Sequence, residues 1–203
     1  AELHGYSSEE AYQMYNEARE EGDKIAISLE RYLDVLKKNL KHDKKVFREA
    51  EVNEIRVAME KGDNLLPGAR KLVAECPKKE LSCYLLSLGV REWQETKLKQ
   101  SGLAEYFAPD HVVFTENIRQ GKKEAINQLF GGTFSGEGTV LVNDKPDETR
   151  ELLAQFPKLR AFVRREKRDA RYAKKDFDDL VKDFPGRVAW AETLPKIHSL
   201  LAK

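Results

Sequence analysis

The chain has 203 residues, of which 40% are apolar and 35% are charged, and its formal net charge is +1. This length is enough for one large hydrophobic core, or for one core with a small additional domain. Because acidic and basic residues nearly cancel, no overall field favours nucleic acid or an acidic membrane as a partner. No apolar run approaches the roughly 18 to 20 residues that a membrane span needs, and no secretory signal opens the chain. The composition predicts a globular cytoplasmic protein with no membrane partner.

Cysteine and histidine give no sign of a metal site. Cys76 and Cys83 match no metal-ligand spacing, and the four histidines are scattered along the chain. We expect both thiols to be buried and reduced, as is usual in the cytosol.

Residues 7 to 60 are predicted to be helical throughout. Ser7 and Glu10 form a capping-box pattern, and Gly22 is a plausible helix stop. Apolar residues then recur at helical spacing in two stripes, and a third amphipathic segment ends at Gly62. This periodicity favours core packing in a small helical bundle over a cofactor site. The first stripe comprises Ala11, Tyr12, Met14, Tyr15 and Ala18, and the second comprises Ile25, Leu29, Tyr32, Leu33, Leu36 and Leu40.

From Leu65 onward, short apolar runs alternate with helical segments. Such alternation is typical of a parallel sheet with crossover helices on both faces. We therefore predict an α/β fold, with a Rossmann-like parallel core over residues 65–203 and a helical module over residues 1–64. The predicted strands lie in "LSCYLLSLG", "HVVFTE", "TVLVND", "LRAFVRR" and "RVAWAET".

Polar residues follow these predicted strands, and the carboxyl ends of parallel strands share one edge of the sheet. A hydroxyl, a lysine and carboxylates at one edge suit a phosphate with a divalent cation, because hard cations prefer oxygen ligands. The residues at the strand ends are Ser87, Thr115, Glu116, Asn143, Asp144, Arg164 and Arg165, and Lys122 and Lys123 open an intervening helix.

The segment from about Leu65 to the end resembles the core of the haloacid dehalogenase (HAD) superfamily, which consists mostly of phosphatases. "CYLLSLG" is similar to the second family motif, a strand ending in Ser or Thr, which implies a catalytic role for Ser87. "GKKEAI" is similar to the third, a lysine that opens a helix, and the spacing to the residues that follow favours Lys122 over Lys123.

"VLVNDKPDE" is similar to the fourth motif, an acidic pair after a strand. The resemblance implies that Asp144 is a metal ligand and that Asp147 or Glu148 is the second acid. Asn143 stands where many members have Gly or Asp. The cofactor implied is Mg²⁺ and the partner a small phosphorylated substrate, which makes the expected activity that of a Mg²⁺-dependent phosphatase.

Residues 1–64 resemble the helical C1-type cap that such enzymes insert after their first core strand. In the family, that strand ends in D-x-D, whose first Asp is the nucleophile and whose second is the general acid/base. No such strand precedes Ser7, so we expect it upstream of residue 1 and expect the 203-residue chain alone to lack hydrolase activity. "DFDDL" (Asp176 to Leu180) spells the motif, but its pattern favours a solvated helix face.

Two other functions compete with this one. A catalytically inactive derivative could keep the fold as a phosphate-binding or protein-interaction module. An unrelated α/β protein could bind nucleic acid through the basic stretch at residues 160–175, with Tyr172 for stacking. Glu166 and Asp169 moderate that charge and favour an ordinary strand-to-helix connection. Dehalogenase chemistry needs no metal, so the acidic pair at Asp144 argues against it, while the substrate and the oligomeric state stay open.

Overall fold

The structure is a computed structural model that describes residues 1–61, 65–117, 121–167, 169 and 171–201, with the backbone alone described for 58–61. The helices are α1 (Ser8–Arg19), α2 (Leu29–His42), α3 (Glu49–Lys61), α4 (Ala69–Lys78), α5 (Arg91–Gln100), α6 (Gly121–Phe130), α7 (Pro146–Gln155), α8 (Lys174–Asp183) and α9 (Leu194–Leu201). The strands are β1 (Glu20–Glu21), β2 (Lys24–Ile25), β3 (Leu85–Leu88), β4 (Val112–Thr115), β5 (Val140–Asn143), β6 (Arg160–Arg164) and β7 (Val188–Ala191).

The chain divides into two compact units. One contains Ala1–Asn64 and Cys83–Ala125, and the other contains Leu65–Ser82 and Ile126–Lys203. The division into a cap over residues 1–64 and a core over residues 65–203 stays a prediction. No described helix is long and apolar enough to cross a bilayer.

The helical core of the first unit forms between α1 and α2. The predicted capping box is confirmed, since the Ser7 side chain accepts a hydrogen bond from the backbone N–H of Glu10 and the Glu10 side chain accepts one from that of Ser7. Ser28 caps α2 by accepting a hydrogen bond from the backbone N–H of Arg31. The buried core residues are Tyr6, Met14, Leu33, Leu36 and Leu40.

Two tyrosines of the predicted first stripe are not in this core. Tyr12 and Tyr15 are 44% and 40% exposed, and their rings stack with centroids 6.1 Å apart. Met14 and Ala18, four residues apart, form the buried face of α1. The prediction was wrong because five apolar positions in eight residues cover more of the helix circumference than one packing face.

The prediction of continuous helix over residues 7 to 60 was wrong at a β-hairpin. β1 and β2 pair antiparallel, and the two residues between them are Gly22, with φ +60°, and Asp23. A glycine at the first position of a two-residue loop favours a tight hairpin turn, so Gly22 turns the chain here as well as ending a helix. Ile25, predicted in the second helical stripe, is buried in β2.

The predicted alternation of strands and helices is confirmed. β3 and β4 are parallel in the first unit, where Ser87 lies opposite Phe114. β5, β6 and β7 are parallel in the second unit, in that order, where Val142 lies opposite Phe162. α7 packs against β6, α8 against β7, and α9 against both. Buried apolar residues between these helices and strands include Leu152, Leu153, Ala161, Phe162, Val163, Phe177, Leu180 and Ile197.

The cysteines are free thiols, as expected, but they are half-buried rather than buried. Cys76 lies in α4, and Cys83 precedes β3.

Candidate active site

Ser87 lies near the carboxyl end of β3. Its side chain is half-buried, and its hydroxyl makes no hydrogen bond to any residue that the structure describes. The backbone N–H of Gly89 donates to the carbonyl of Thr115 at 2.8 Å, which fixes the ends of β3 and β4 side by side. A Cβ added at Gly89 would lie 2.3 Å from Nε2 of Gln94, so the Gln94 side chain packs directly against this glycine. The Ser87 hydroxyl is therefore available to a ligand at this strand end.

Lys122 lies in the first turn of α6, as predicted. It is half-buried, whereas Lys123 beside it is exposed. A charge that is less exposed to water interacts more strongly with an anion, because less water screens it. This difference is consistent with the choice of Lys122 over Lys123, which stays a prediction.

Glu116 and Asn117, the two polar residues that follow β4, have structural contacts. The backbone carbonyl of Glu116 accepts a hydrogen bond from the N–H of Ile25 at 2.8 Å, and Lys24 bridges to Asn117. A side-chain oxygen of Glu116 lies 3.4 Å from the N–H of Arg91 at the start of α5. The hairpin of the helical segment therefore joins the carboxyl end of β4, a contact that the sequence reasoning missed. The Gly22–Asp23 pair in "EEGDKI" is the local signal that could have revealed it.

Asp144 follows β5 directly. Its carboxylate is exposed and makes no hydrogen bond or ion pair within the described part of the chain. It is followed by α7, which opens with Pro146 and carries Asp147 and Glu148 in its first turn. Acidic residues in that turn also stabilise the helix, because the amino end of a helix is electropositive.

Asp147 and Glu148 already have partners. Oδ1 of Asp147 accepts hydrogen bonds from the Glu148 N–H and the Tyr172 hydroxyl, both at 2.8 Å. Oε2 of Glu148 accepts one from Nδ2 of Asn143 at 3.0 Å. Burial, followed by the bond to Asp147, raises the pKa of Tyr172 above its ordinary value. Both carboxylates are therefore held by neighbouring groups, in contrast to Asp144.

The donor set fits a magnesium ion in part. The Asp144 carboxylate is an exposed oxygen ligand of the kind that hard cations prefer. Within the described residues, however, no three His, Cys, Asp or Glu side chains form a group that could hold a metal ion. The described residues thus offer one exposed, unpaired carboxylate at this loop, and the metal roles of Asp144, Asp147 and Glu148 stay predictions.

Most of the cations that the structure describes in the basic stretch at residues 160–175 are paired with acids of the stretch itself or of neighbouring segments. Six of them form ion pairs, which reduces the positive charge that these residues offer to a phosphate backbone. The pairs are Arg164–Glu166, Arg165–Glu192, Lys167–Glu192, Arg171–Asp169 and Lys174–Asp178. Lys175 is likewise paired, with Asp179.

The "DFDDL" segment is helical, as predicted, and lies in α8. Asp176 accepts a hydrogen bond from the N–H of Ala173, and Asp178 accepts one from Nζ of Lys174 at 2.7 Å. The bond from Lys174 is the main reason that the pKa of Asp178 is lowered. Phe177 and Leu180 form the buried face. The aspartates therefore cap the helix or form ion pairs on its exposed side, and the interpretation as a solvated helix face is confirmed.

The predicted site residues belong to both units. Ser87 and Lys122 lie in the first, whereas Asp144, Asp147 and Glu148 lie in the second. That Ser87, Lys122 and Asp144 share one pocket stays a prediction.

Comparisons with known proteins give a fold relationship only. No family model matches the chain, and no curated protein matches it. Among solved structures, it is similar to the magnesium-bound orthorhombic form of YfnB from Bacillus subtilis, a candidate HAD-hydrolase. The identity is 16% and the TM-score 0.57, covering 98% of this chain and 84% of that one.

A second solved structure is a haloacid dehalogenase-like protein of unknown function, ATU0790 from Agrobacterium tumefaciens. It is 14% identical with a TM-score of 0.47, covering 95% of this chain and 91% of that one. The likeness to YfnB, together with the parallel strands and their crossover helices, shows the fold: the chain has the Rossmann-like α/β fold of the HAD-like hydrolases.

Proposed function

We propose that this chain is the greater part of a HAD-like hydrolase, a Mg²⁺-dependent phosphatase that acts on a small phosphorylated substrate. The observation that carries the proposal is the Asp144 carboxylate, exposed and unpaired within the described chain, directly after a parallel strand of a HAD-like fold. An acidic side chain in that position has no packing function, which makes it available for a ligand.

In the proposed reaction, Ser87 and Lys122 act on the phosphoryl group. The Ser87 hydroxyl donates a hydrogen bond to a phosphoryl oxygen, and its lack of a partner among the described residues leaves it able to do so. The Lys122 ammonium neutralises charge that grows on the phosphoryl oxygens as the bond to the leaving group breaks. Both groups stabilise charge, and neither attacks phosphorus.

Asp144 is the residue of this chain that would hold the magnesium ion. When bound, the ion supplies positive charge close to the phosphoryl group and fixes its orientation. The neighbouring YfnB structure is bound to magnesium, which supports the choice of this cation. Asp144 contributes one oxygen, and the remaining ligands would come from the nucleophile segment, the substrate and water.

The nucleophile is proposed to be an aspartate on a strand outside residues 1–203. Within the described chain, β3 pairs with β4 alone and β5 with β6 alone. Val140 and Val142 of β5 are each 39% exposed. Because β5 is an edge strand within the described chain, its backbone groups can pair with a further strand. A parallel strand ending in D-x-D would place its carboxylates at the carboxyl end of the sheet, where Asp144 follows β5.

The test uses the proposed longer natural protein, in which a segment with this strand precedes residue 1. Asp144→Asn should reduce phosphate release from an aryl phosphate on the order of 100-fold and raise the Mg²⁺ concentration needed, because a several kcal/mol stabilisation is lost. Circular dichroism should show an unchanged fold. Asp34→Asn, at an exposed aspartate of α2, is the matched control. Equal activity in the Asp144→Asn and Asp34→Asn proteins would contradict the proposed role of Asp144.

A further inference from the structure

The connection between β5 and α7, residues 143–149, is organised around one buried amide. Asn143 is only 7% exposed, and its Nδ2 donates to Oε2 of Glu148 and to Oγ1 of Thr149, each at 3.0 Å. The carbonyl of Lys145 lies 3.4 Å from the same nitrogen. Thr149 is fully buried, and its hydroxyl donates to the Lys145 carbonyl at 2.7 Å. The Asn143 amide therefore ties the strand end to the first turn of the helix.

Burial makes these hydrogen bonds costly to lose. A buried amide that loses its acceptors is left without water to replace them. The Glu148 carboxylate is drawn towards this amide, which orients one of its oxygens towards the strand end. One oxygen of this carboxylate is therefore engaged by the chain itself.

A second contact holds the other acid of the first turn. Tyr172, on the segment that follows β6, donates its hydroxyl to Oδ1 of Asp147 at 2.8 Å. Its ring packs edge-on against Phe177, whose side chain is buried, with centroids 6.4 Å apart. The ring contact fixes where the hydroxyl lies, so Tyr172 links the β6–α8 segment to the start of α7.

We propose that Asn143 and Tyr172 are positioning residues, which hold Glu148 and Asp147 as structural supports of the β5–α7 connection and leave Asp144 as its metal-binding carboxylate. This inference rests on the proposed function and assigns to Glu148 and Asp147 a role other than direct metal ligation. Supports of this kind keep a ligand oriented and commonly change metal affinity about 10- to 100-fold when removed.

The first experiment exchanges donor and acceptor. Asn143→Asp removes the hydrogen bonds that Asn143 donates and places a second carboxylate beside Glu148. Adding Glu148→Gln restores a hydrogen bond of opposite direction, in which the glutamine amide donates to the carboxylate at position 143. In the 203-residue chain, hydrogen exchange of the amides in residues 143–149 should accelerate in Asn143→Asp and return towards the original rate in the double variant. Unchanged exchange in Asn143→Asp, or no return in the double variant, would overturn the role of Asn143.

The Tyr172 contact is tested in the same way. Tyr172→Phe keeps the ring against Phe177 and deletes only the hydroxyl, so exchange at residues 147–149 should accelerate. Tyr12→Phe, which deletes an exposed hydroxyl without a hydrogen-bond partner among the described residues, is the control. Equal exchange in the two variants would contradict a positioning role for Tyr172.

Metal affinity separates a support from a ligand. In the longer natural protein, calorimetric titration with Mg²⁺ alone should show affinity reduced about 10-fold by Asn143→Asp and recovered in the double variant. If Glu148 binds the metal directly, Glu148→Gln weakens binding and the double variant stays weak, which overturns the inference. If the longer protein without substitutions releases no phosphate, the proposed function is contradicted. The hydrogen-exchange results would still test the roles of Asn143 and Tyr172 separately.

Discussion

Gly136 is a position at which the backbone leaves no space for a side chain. It precedes β5, has φ +85°, and a Cβ added there would lie 2.5 Å from the backbone nitrogen of Leu159. The nearest atoms belong to the backbone of Leu159, which cannot shift without disturbing the structure around it.

We predict that Gly136→Ala lowers the free energy of unfolding by about 1–3 kcal/mol, through left-handed backbone strain and the steric conflict with Leu159. Urea denaturation measures this change. Gly132→Ala is the control, since an added Cβ there has no atom within 4 Å. A Gly136→Ala protein as stable as Gly132→Ala would mean that the turn relaxes freely.

His4 is a buried imidazole of the first unit. Its Nε2 accepts a hydrogen bond from the N–H of Arg48 at 3.0 Å, and its ring stacks on Phe47. Burial is the main cause that lowers the pKa of His4. The positive charges of the amino terminus and of Arg48 lower this pKa further, whereas the negative charge of Glu51 raises it.

Because this pKa is lower in the folded chain than the ordinary value near 6.5, the unfolded chain binds more protons below that pH. The free energy of unfolding should therefore fall as the pH drops through about 6.5. His4→Gln, which can still accept a hydrogen bond, should reduce this dependence in denaturation at pH 7.5 and 5.5. His42→Gln, at a side chain 88% exposed, is the control. An equal pH dependence in the two variants would contradict the role of His4.

The site residues differ in how far a sequence pattern could predict them. Ser87, Lys122 and Asp144 each follow a local signal, an apolar run or a helix start, and the structure places them at those element ends. The Tyr172–Asp147 bond joins residues 25 positions apart, and no local pattern encodes such a contact. The buried donor role of Asn143 was equally hidden, because a strand-terminal amide has the same letters whether it faces solvent or the chain.

At the scale of elements, Arg187 links the start of β7 to the carboxyl end of α7 and to the residue that precedes β6. Its Nη2 donates to the carbonyls of Leu153 at 2.8 Å and Phe156 at 2.7 Å, and its Nε donates to that of Leu159 at 3.1 Å. All three acceptor residues are at most 2% exposed. One planar guanidinium thus satisfies three carbonyls that water does not reach.

We predict that Arg187→Lys costs about 2–3 kcal/mol of stability, because a single ammonium cannot reproduce the fork and leaves buried carbonyls without donors. Thermal or urea denaturation measures the change. Arg150→Lys, at an exposed ion pair with Asp183, is the control and should change stability by less than about 1 kcal/mol. Similar losses in both variants would contradict this assignment.

The elements themselves were the part most accessible from sequence. Apolar runs of four or five residues between helical segments identified all five parallel strands of the described chain. The hairpin was missed because β1 and β2 are two residues each, too short to show an alternating pattern, and because a glycine can end a helix as well as form a turn.

At the scale of the whole molecule, two of the described sheets consist of parallel strands joined by crossover helices. Their edge strands, β3, β4, β5 and β7, each have one described neighbour. The family resemblance predicts a strand carrying the nucleophile, and we propose that it pairs with the edge strand β5. The 203-residue chain could then bind phosphate but could not attack it, because covalent phosphoryl transfer needs an aligned nucleophile.

Phosphate release from an aryl phosphate in the presence of Mg²⁺, measured for the 203-residue chain beside the longer natural protein, tests this account most directly. We predict that the longer protein releases phosphate and that the 203-residue chain does not. Turnover by the 203-residue chain that is lost in Asp176→Asn or Asp178→Asn would show that "DFDDL" supplies the nucleophile, and an inactive longer protein would contradict the proposed phosphatase activity itself.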